Sequence, residues 1–324
     1  EKMTVPIILF AVGLLCLIKG GDWFVDGAAA IARRLRVPDL LIGATVVSIG
    51  TTLPEVMVST TSAVGGHGEI AYGNAIGSVI CNAALIAAVT IAVRPGRIDA
   101  KALRTPVFFF FAAAAIYAVT AWWTGYFSRP IGLVLLALFV LYMAVTVAQA
   151  RRASLAAGGG AAEEEAVSVP RAAVLLAVGA ALIAVGADLL VDNGILIAQA
   201  LGVPESVIAL TFVALGTSLP ELVTAVTSLI KGHGSLSLGN VVGANLFNLV
   251  LVSGVSVTLA PFRIPQGARI AGVSASLVLD LPVMFLVMLV LTVPALAKGR
   301  LFRSQGVLLL AVYAAFCAAQ FLLA

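Results

Sequence analysis

Charged residues are scarce in this chain of 324 residues: Asp, Glu, Lys and Arg make up 10% of it, whereas hydrophobic residues make up 61%. A soluble protein of ordinary composition carries about 25% charged residues. The mean hydropathy of +1.13 therefore excludes a soluble enzyme, a nucleic-acid-binding protein and a disordered chain. It indicates a polytopic, all-α membrane protein, and at roughly 20 apolar residues per spanning helix the chain has room for about ten spans.

Cysteine is rarer still. The three cysteines, Cys16, Cys81 and Cys317, all lie in apolar runs. Their odd number and wide spacing predict neither a disulfide framework nor a zinc site. The sequence also contains no HExxH motif, no Gly-x-Ser-x-Gly motif and no pair of catalytic aspartates in its apolar runs. We therefore expect that the protein is not an enzyme and that it carries no cofactor.

Apolar runs separated by glycine, proline and charge clusters predict ten transmembrane helices. These spans 1 to 10 cover residues 4–34, 38–64, 67–92, 104–124, 130–150, 170–200, 204–230, 234–260, 271–294 and 301–323. The Gly-, Ala- and Glu-rich segment 151–169 cannot build a core and is predicted to be a solvated linker. It divides the chain into residues 1–150 and residues 170–324, with five spans each.

The basic residues predict how the spans are oriented, because cytoplasmic loops carry an excess of Lys and Arg. The loops after the odd-numbered spans contain 14 Lys and Arg residues, against 4 on the opposite side. This asymmetry predicts a multi-pass protein of a bacterial-type inner membrane, with both termini extracytoplasmic and the linker cytoplasmic.

The two halves of the chain repeat each other. Segment 38–82 aligns without a gap with segment 204–248, and 18 of the 45 positions are identical. Residues that correspond at this constant spacing, such as Glu55 and Glu221, are called repeat partners below. Because each half contains an odd number of spans, the second half enters the membrane from the opposite side. The sequence therefore predicts two inverted five-helix repeats, an arrangement that many secondary transporters use to build a central site.

Spans 2 and 7 carry Gly-Thr-Thr-Leu-Pro-Glu and Gly-Thr-Ser-Leu-Pro-Glu at mid-span. Proline removes an amide donor and clashes with the preceding turn, so Pro54 and Pro220 are predicted to break helices 2 and 7 and to free backbone carbonyls. Spans 3 and 8 add hydroxyl and amide groups in the motifs GNAIGSVICN and GNVVGANLFN. The candidate ligands are Ser48, Thr51, Thr52, Glu55, Ser78, Asn82, Ala214 (through its carbonyl), Thr217, Ser218, Glu221 and Asn248.

Ligands that are all oxygen atoms select hard cations. Ca²⁺ takes 6–8 oxygens at about 2.3–2.6 Å and tolerates irregular geometry. An acidic side chain at the bilayer midplane costs at least about 2.5 kcal/mol, so a purely structural role for two of them is unfavourable. One Ca²⁺ neutralises both, and the sequence therefore favours Ca²⁺ as a substrate held between Glu55 and Glu221.

The paired motifs of spans 2 and 3 and of spans 7 and 8 resemble the two α-repeats of the cation/calcium exchanger superfamily. Within it, the chain is most similar to the short bacterial calcium/sodium antiporters, over essentially its whole length. The resemblance implies exchange of Ca²⁺ for Na⁺ by alternating access, with spans 1 and 6 sliding against the other helices. Glu55 and Glu221 are then the shared ligands of Ca²⁺ and Na⁺. We expect a monomer whose partners are these ions and the lipid bilayer.

Two positions depart from the pattern of a relative in this superfamily. That relative has aspartate where this chain has Asn248, and serine where this chain has Ala244. The missing hydroxyl weakens one expected Na⁺ position. A Ca²⁺/H⁺ antiporter is therefore an alternative, since two protons neutralise two glutamates as fully as one Ca²⁺ does. A cation channel is a further alternative, although a pore has no need of two facing carboxylates.

Other polar residues have ordinary structural interpretations. We expect Asn74 and Asn240 to stabilise turns after glycine, and His67 and His233 to lie in Gly-His-Gly turns between spans. Four aspartates along spans 1 and 6 are expected to pair with Lys19 or with backbone donors, and ion entry is the alternative for them: Asp22, Asp26, Asp188 and Asp192.

Overall fold

The computed structural model describes residues 3–35, 37–156, 168–201, 216 and 218–323. These residues are almost entirely helical, as their apolar composition leads us to expect, because a helix satisfies every backbone hydrogen bond within the bilayer. The described helices are α1 Thr4–Leu35, α2 Asp39–Val64, α3 Gly68–Val93, α4 Ala100–Trp123, α5 Arg129–Ala156, α6 Val169–Ala200, α7 Leu219–Ile230, α8 Gly234–Leu259, α9 Ser276–Lys298 and α10 Arg303–Leu323.

Within the described residues, nine helices are long and apolar enough to cross a membrane, and the 12-residue α7 is a shorter apolar helix. The predicted seventh span, residues 204–230, includes residues 204–215 and 217, which lie outside the described part of the chain. The predicted linker is shorter than expected at its beginning, since α5 stays helical to Ala156. Alanine and arginine are good helix formers, so the helix continues beyond its apolar run.

The turns between helices gather on two faces of the molecule. On one face, strand β1 (Tyr126–Phe127) pairs with β2 (Phe262–Arg263), and the hairpin β3 (Arg269–Ile270) with β4 (Val273–Ser274) follows β2. On the other face, a backbone bridge joins Arg97 to Arg300. We call this second face the linker face, because α5 ends and α6 begins there.

Helices α1 and α6 pack against each other in antiparallel directions through glycine. A Cβ atom built on Gly13 would lie 2.9 Å from the Gly186 carbonyl oxygen, and one on Gly20 would lie 2.9 Å from the Gly179 carbonyl oxygen. Small residues at such contacts let two backbones approach closely in a membrane. The contacts are reciprocal, because Gly13 and Gly179 are repeat partners, and so are Gly20 and Gly186.

Helices α3 and α8 form the centre of the molecule. In an apolar stretch of 18 residues within α8, 83% of the residues are buried, against 22% in the corresponding stretch of α1. The backbone of Gly239 in α8 packs directly on the Leu40 carbonyl of α2, where no Cβ atom would fit. This contact holds α2 against α8, and α3 and α7 also pack against α8.

Several helices contain a π-helical turn, which widens the helix by one residue. In α2 it covers Gly43–Val47, in α3 Asn82–Ala87, in α8 Asn248–Val252 and in α9 Ser276–Asp280. Such turns are rare and are often found at functional sites. Those of α3 and α8 begin at repeat partners, Asn82 and Asn248.

The predicted break at Pro54 is wrong, because Pro54 lies inside a helix that continues from Ser48 to Val64. Proline removes a single amide donor, and neighbouring helices in a membrane protein tolerate such a loss. The irregular backbone of α2 lies about two turns earlier, in its π-helical segment Gly43–Val47. Pro220 instead occupies the first turn of α7, where its missing amide has no helical partner to lose.

Candidate ion-binding site

The two glutamates singled out by the sequence are both completely buried. Glu55 lies in the middle of α2, and Glu221 lies in the first turn of α7. Their carboxylates are close enough for each to feel the charge of the other. Among the described residues, no group forms a hydrogen bond with any of the four carboxylate oxygens. Buried carboxylates of this kind are costly unless a cation or protons neutralise them.

Hydroxyl groups surround this pair. Thr51 and Thr52, one turn before Glu55, lie beside the carboxylate of Glu221. The hydroxyls of Thr52 and Ser218 are buried and have no hydrogen-bond partner within the described part of the chain. Ser218 precedes α7 directly, so the two short motifs bring hydroxyl oxygens to the carboxylates from both halves.

Two amide side chains approach from the π-helical turns. Asn82 and Asn248 are completely buried, and the amide oxygen and nitrogen of each lack a hydrogen-bond partner in the described residues. The turn that begins at Asn82 packs against α7, and the turn that begins at Asn248 packs against α2. Each half of the chain thus places one buried asparagine in a turn that packs against the other half's glutamate-bearing helix.

Of the eleven predicted ligands, nine lie in the described residues, and all nine are at most 4% exposed. Ala214 and Thr217 lie outside the described residues. Ser78 is buried in α3 one turn before Asn82, whose backbone N–H donates to the Ser78 carbonyl. The hydroxyl of Ser48 donates to the Gly43 carbonyl at 2.8 Å, across the π-helical turn of α2.

Asn240 is a residue that the sequence interpretation missed. We expected it to stabilise a turn, but it lies inside α8 and is completely buried. Its side-chain oxygen accepts a hydrogen bond from the hydroxyl of Thr51 at 3.2 Å, and it lies 3.3 Å from the hydroxyl oxygen of Ser48. Its repeat partner Asn74 also lies within a helix, where it donates to Ser59 at 2.8 Å. The sequence signal that points to Asn240 is that both halves of the chain have asparagine at this position of the repeat.

A cavity of about 780 Å³ reaches this cluster. Its walls come from α1, α2 and α6 and from the residues at the beginning of α7, and they include Thr51, Pro54, Asp188, Asp192, Gly216 and Pro220. The cavity extends from mid-helix towards the face opposite the linker face, because Asp188 and Asp192 lie in the second half of α6. The cavity therefore joins Thr51 of the cluster to the part of α6 that lies towards that face.

The donor set is one of oxygen atoms. Within the described residues, no group of three or more His, Cys, Asp or Glu side chains is placed to hold a metal ion. Two carboxylates with surrounding hydroxyl and amide oxygens are instead the ligands that suit a hard cation such as Ca²⁺ or Na⁺.

Three other polar residues of the repeat, Asp22, Asp26 and His233, have partners at the linker face. Lys231 rather than Lys19 is the partner of Asp22 and Asp26, because the turn after α7 brings it to α1. The expected turns at His67 and His233 are present: each residue precedes a helix, α3 or α8. The ring of His233 also contacts the Asp39 carboxylate at 3.0 Å.

Comparisons with known proteins agree with this geometry. The family model described as "Sodium/calcium exchanger protein" matches residues 5–148 and 171–322. The putative antiporter CaxA of Alkalimonas amylolytica is 34% identical over 334 residues, covering 99% of both chains. The sodium/calcium exchanger MaX1 of Methanosarcina acetivorans is 29% identical over 368 residues, covering 98% of this chain and 99% of MaX1.

A solved structure of the sodium-calcium exchanger NCX_Mj, soaked with zero Na⁺ and Ca²⁺, has a TM-score of 0.82 at 32% identity. The alignment covers 97% of this chain and 98% of that chain. The matched fold, the length and the family model together account for nearly the whole chain. This multi-pass membrane protein therefore belongs to the sodium/calcium exchanger family, as a short exchanger of the prokaryotic type and a transporter of cations.

Proposed function

We propose that this protein exchanges Ca²⁺ for Na⁺ across the membrane, and that both ions bind between Glu55 and Glu221. The observation that carries the proposal is the pair of completely buried carboxylates without hydrogen-bond partners in the described residues. One Ca²⁺ balances both charges, and Na⁺ ions balance them one at a time. Competition for the same two carboxylates couples the two ions.

The ligands of the proposed site come from both halves of the chain. Hydroxyls of Thr51, Thr52, Thr217 and Ser218, carbonyls of Ser48 and Ala214, and the side chains of Ser78, Asn82 and Asn248 complete it in this proposal. Asn240 holds the Thr51 hydroxyl in place. A neutral amide at Asn248 leaves the site with two formal negative charges, which matches one Ca²⁺.

The two halves act, in this proposal, as inverted repeats of five transmembrane helices. The antiparallel α1–α6 pair and its reciprocal glycine contacts support a pseudo-twofold axis that relates the two halves. Alternating access then follows from a movement of this pair relative to the other helices. The excess of Lys and Arg on the linker side supports a cytoplasmic linker and extracytoplasmic termini, in a bacterial-type inner membrane.

Transport in proteoliposomes tests the coupling ion. We expect Ca²⁺ uptake to be driven by an outward Na⁺ gradient. If three Na⁺ ions are exchanged for each Ca²⁺, one net charge moves, and a clamped potential of 100 mV shifts the driving force by about 2.3 kcal/mol. Uptake that ignores Na⁺ and follows a pH gradient without moving charge would identify a Ca²⁺/H⁺ antiporter. Ohmic Ca²⁺ current without a counter-ion would identify a channel.

Isosteric substitutions test the site. Glu55→Gln or Glu221→Gln keeps the shape of the side chain and removes one of the two charges, so we expect Na⁺-driven Ca²⁺ uptake to be abolished. Glu69→Gln is the matched control, because Glu69 lies at the surface, where its carboxylate accepts a hydrogen bond from the backbone amide of Gln266 at 3.2 Å. Wild-type uptake in either of the first two variants would exclude the proposed site.

A further inference from the structure

Two pairs of aspartates occupy equivalent places in the two halves of the chain. Asp22 and Asp26 lie on α1, and their repeat partners Asp188 and Asp192 lie on α6. A spacing of four residues places both members of a pair on one face of a helix. Since α1 and α6 are antiparallel, the first pair lies towards the linker face and the second towards the opposite face.

The first pair forms ion pairs with one lysine. The ammonium group of Lys231 lies 2.7 Å from a carboxylate oxygen of Asp26 and 3.5 Å from one of Asp22. It also donates a hydrogen bond to the backbone carbonyl of Asp22 at 3.0 Å. Lys231 follows α7 directly, so this contact ties α1 to the helix that carries Glu221.

The second pair has no such partner. Among the described residues, no basic side chain forms an ion pair with Asp188 or Asp192. Both residues line the cavity that reaches Thr51. The sequence explains the difference, because the repeat partner of Lys231 is Gly65. Within the described part of the chain, one of the two aspartate pairs is therefore bound by a basic side chain and the other is not.

We propose that Lys231 is a latch that closes the route to the site from the linker face while the route past Asp188 and Asp192 is open. This inference rests on the proposed exchange function, which requires the site to face each side in turn. The latch makes the two states unequal in free energy. In the state that is open at the linker face, the residue that corresponds to Lys231 is Gly65, which has no side chain to bind Asp188 or Asp192.

The packing around the latch shows what must move. A Cβ atom on Gly21 of α1 would lie 2.7 Å from Val223 and 2.8 Å from the hydroxyl of Thr227, both on α7. The two helices are in direct contact there, so no route passes between α1 and α7 as they stand. Opening the linker face at this point separates the helices and pulls Asp26 away from Lys231.

The expected effect is modest, because the ion pairs are partly exposed. The side chains of Lys231 and Asp26 are 23% and 54% exposed, and exposed ion pairs shift an equilibrium by about two- to fivefold. Removal of the Lys231 charge is therefore expected to raise the population that is open at the linker face by about this factor, without changing the site.

Thiol labelling tests the latch without relying on transport. Val223→Cys places a thiol at the α1–α7 contact, in a background in which the three native cysteines are replaced by alanine. We expect Lys231→Gln to raise its labelling rate by a membrane-impermeant maleimide two- to fivefold, and Lys231→Arg to restore the low rate. Lys298→Gln is the control for loss of a positive charge near the linker face. An unchanged rate in Lys231→Gln overturns the proposal.

Cross-linking tests the same contact through transport. In the cysteine-free background, Asp26→Cys with Lys231→Cys is joined by a short bis-methanethiosulfonate. We expect Na⁺-driven Ca²⁺ uptake to fall at least tenfold, Ca²⁺ binding in detergent to persist, and a reducing agent to restore uptake. Uptake at the unlinked rate after complete cross-linking overturns the latch. Absence of Na⁺-driven uptake in the unmodified protein overturns the proposed function instead, and the labelling experiment still decides the latch.

Discussion

The contact between α1 and α6 at Gly20 is predicted to be intolerant of a single methyl group. In Gly20→Ala, the new Cβ atom would lie 2.9 Å from the Gly179 carbonyl oxygen, 2.9 Å from the Ile183 amide nitrogen and 2.9 Å from the Leu182 Cβ atom. Ordinary contacts begin at 3.4 Å, so the helices must separate by a few tenths of an ångström. Two of the three atoms are backbone, and they cannot move aside as a flexible side chain can.

The expected change in the free energy of unfolding combines two opposing effects. Overpacking of a close contact costs about 1–3 kcal/mol, whereas alanine is favoured over glycine inside a helix by about 1 kcal/mol. Gly73→Ala is the matched control, because Gly73 is exposed within α3 and has nothing within 4 Å of the site of its Cβ atom. The free energies of unfolding of the two variants therefore differ by the overpacking cost alone, about 1–3 kcal/mol.

Thermal unfolding in detergent measures this difference. We expect Gly73→Ala to unfold at or slightly above the midpoint of the unmodified protein, and Gly20→Ala to unfold below Gly73→Ala. Gly13→Ala is expected to behave like Gly20→Ala, because it meets Gly186 in the same geometry. Equal midpoints for Gly20→Ala and Gly73→Ala would refute the close packing of α1 on α6, and with it the main structural support for an axis between the halves.

Two further substitutions separate positioning from folding. Asn240→Leu removes the acceptor of the Thr51 hydroxyl and is expected to weaken Ca²⁺ binding by about 1–3 kcal/mol, measured by titration calorimetry. Asn245→Leu is its control, because the Asn245 amide donates to a methionine sulfur. Equal weakening of Ca²⁺ binding by both substitutions would argue against a specific role for Asn240. Tyr142→Phe removes a 2.7 Å hydrogen bond to the carbonyl of Ala44 in the π-helical turn of α2 and is expected to lower the free energy of unfolding by about 1 kcal/mol. The exposed Tyr126→Phe is its control, and equal unfolding midpoints for the two would contradict this account.

Proline shows where a local motif stops predicting structure. Pro54 and Pro220 have the same neighbours in sequence, and the same break is predicted at both. In the structure Pro54 lies inside a continuous helix, whereas Pro220 lies in the first turn of one. The chemistry of proline predicts a missing hydrogen bond in both places. Whether a helix ends there depends on the packing around it, which a local motif does not contain.

The asparagines show the same limit. Asn82 and Asn248 were identified as candidate ligands because they end repeated motifs of span 3 and span 8, and both lie at the start of a π-helical turn that faces the other half. Asn240 was interpreted as a turn residue because glycine precedes it. Its role depends on Ser48 and Thr51, which are almost 200 positions away in the chain, and such a contact leaves no local signal.

The sequence by itself determined the class of the protein, the approximate helices and the two glutamates. These follow from hydropathy, which is a sum over neighbouring residues, and from an internal repeat that can be read from the chain alone. The tertiary structure decided which groups surround those glutamates and that Lys231, not Lys19, binds Asp22 and Asp26. It also decided which acidic pair lines the cavity. These are contacts between distant segments, whose distances are set by how the helices pack. The scarcity of charge indicated a membrane protein, and the packing determined where the few charges meet.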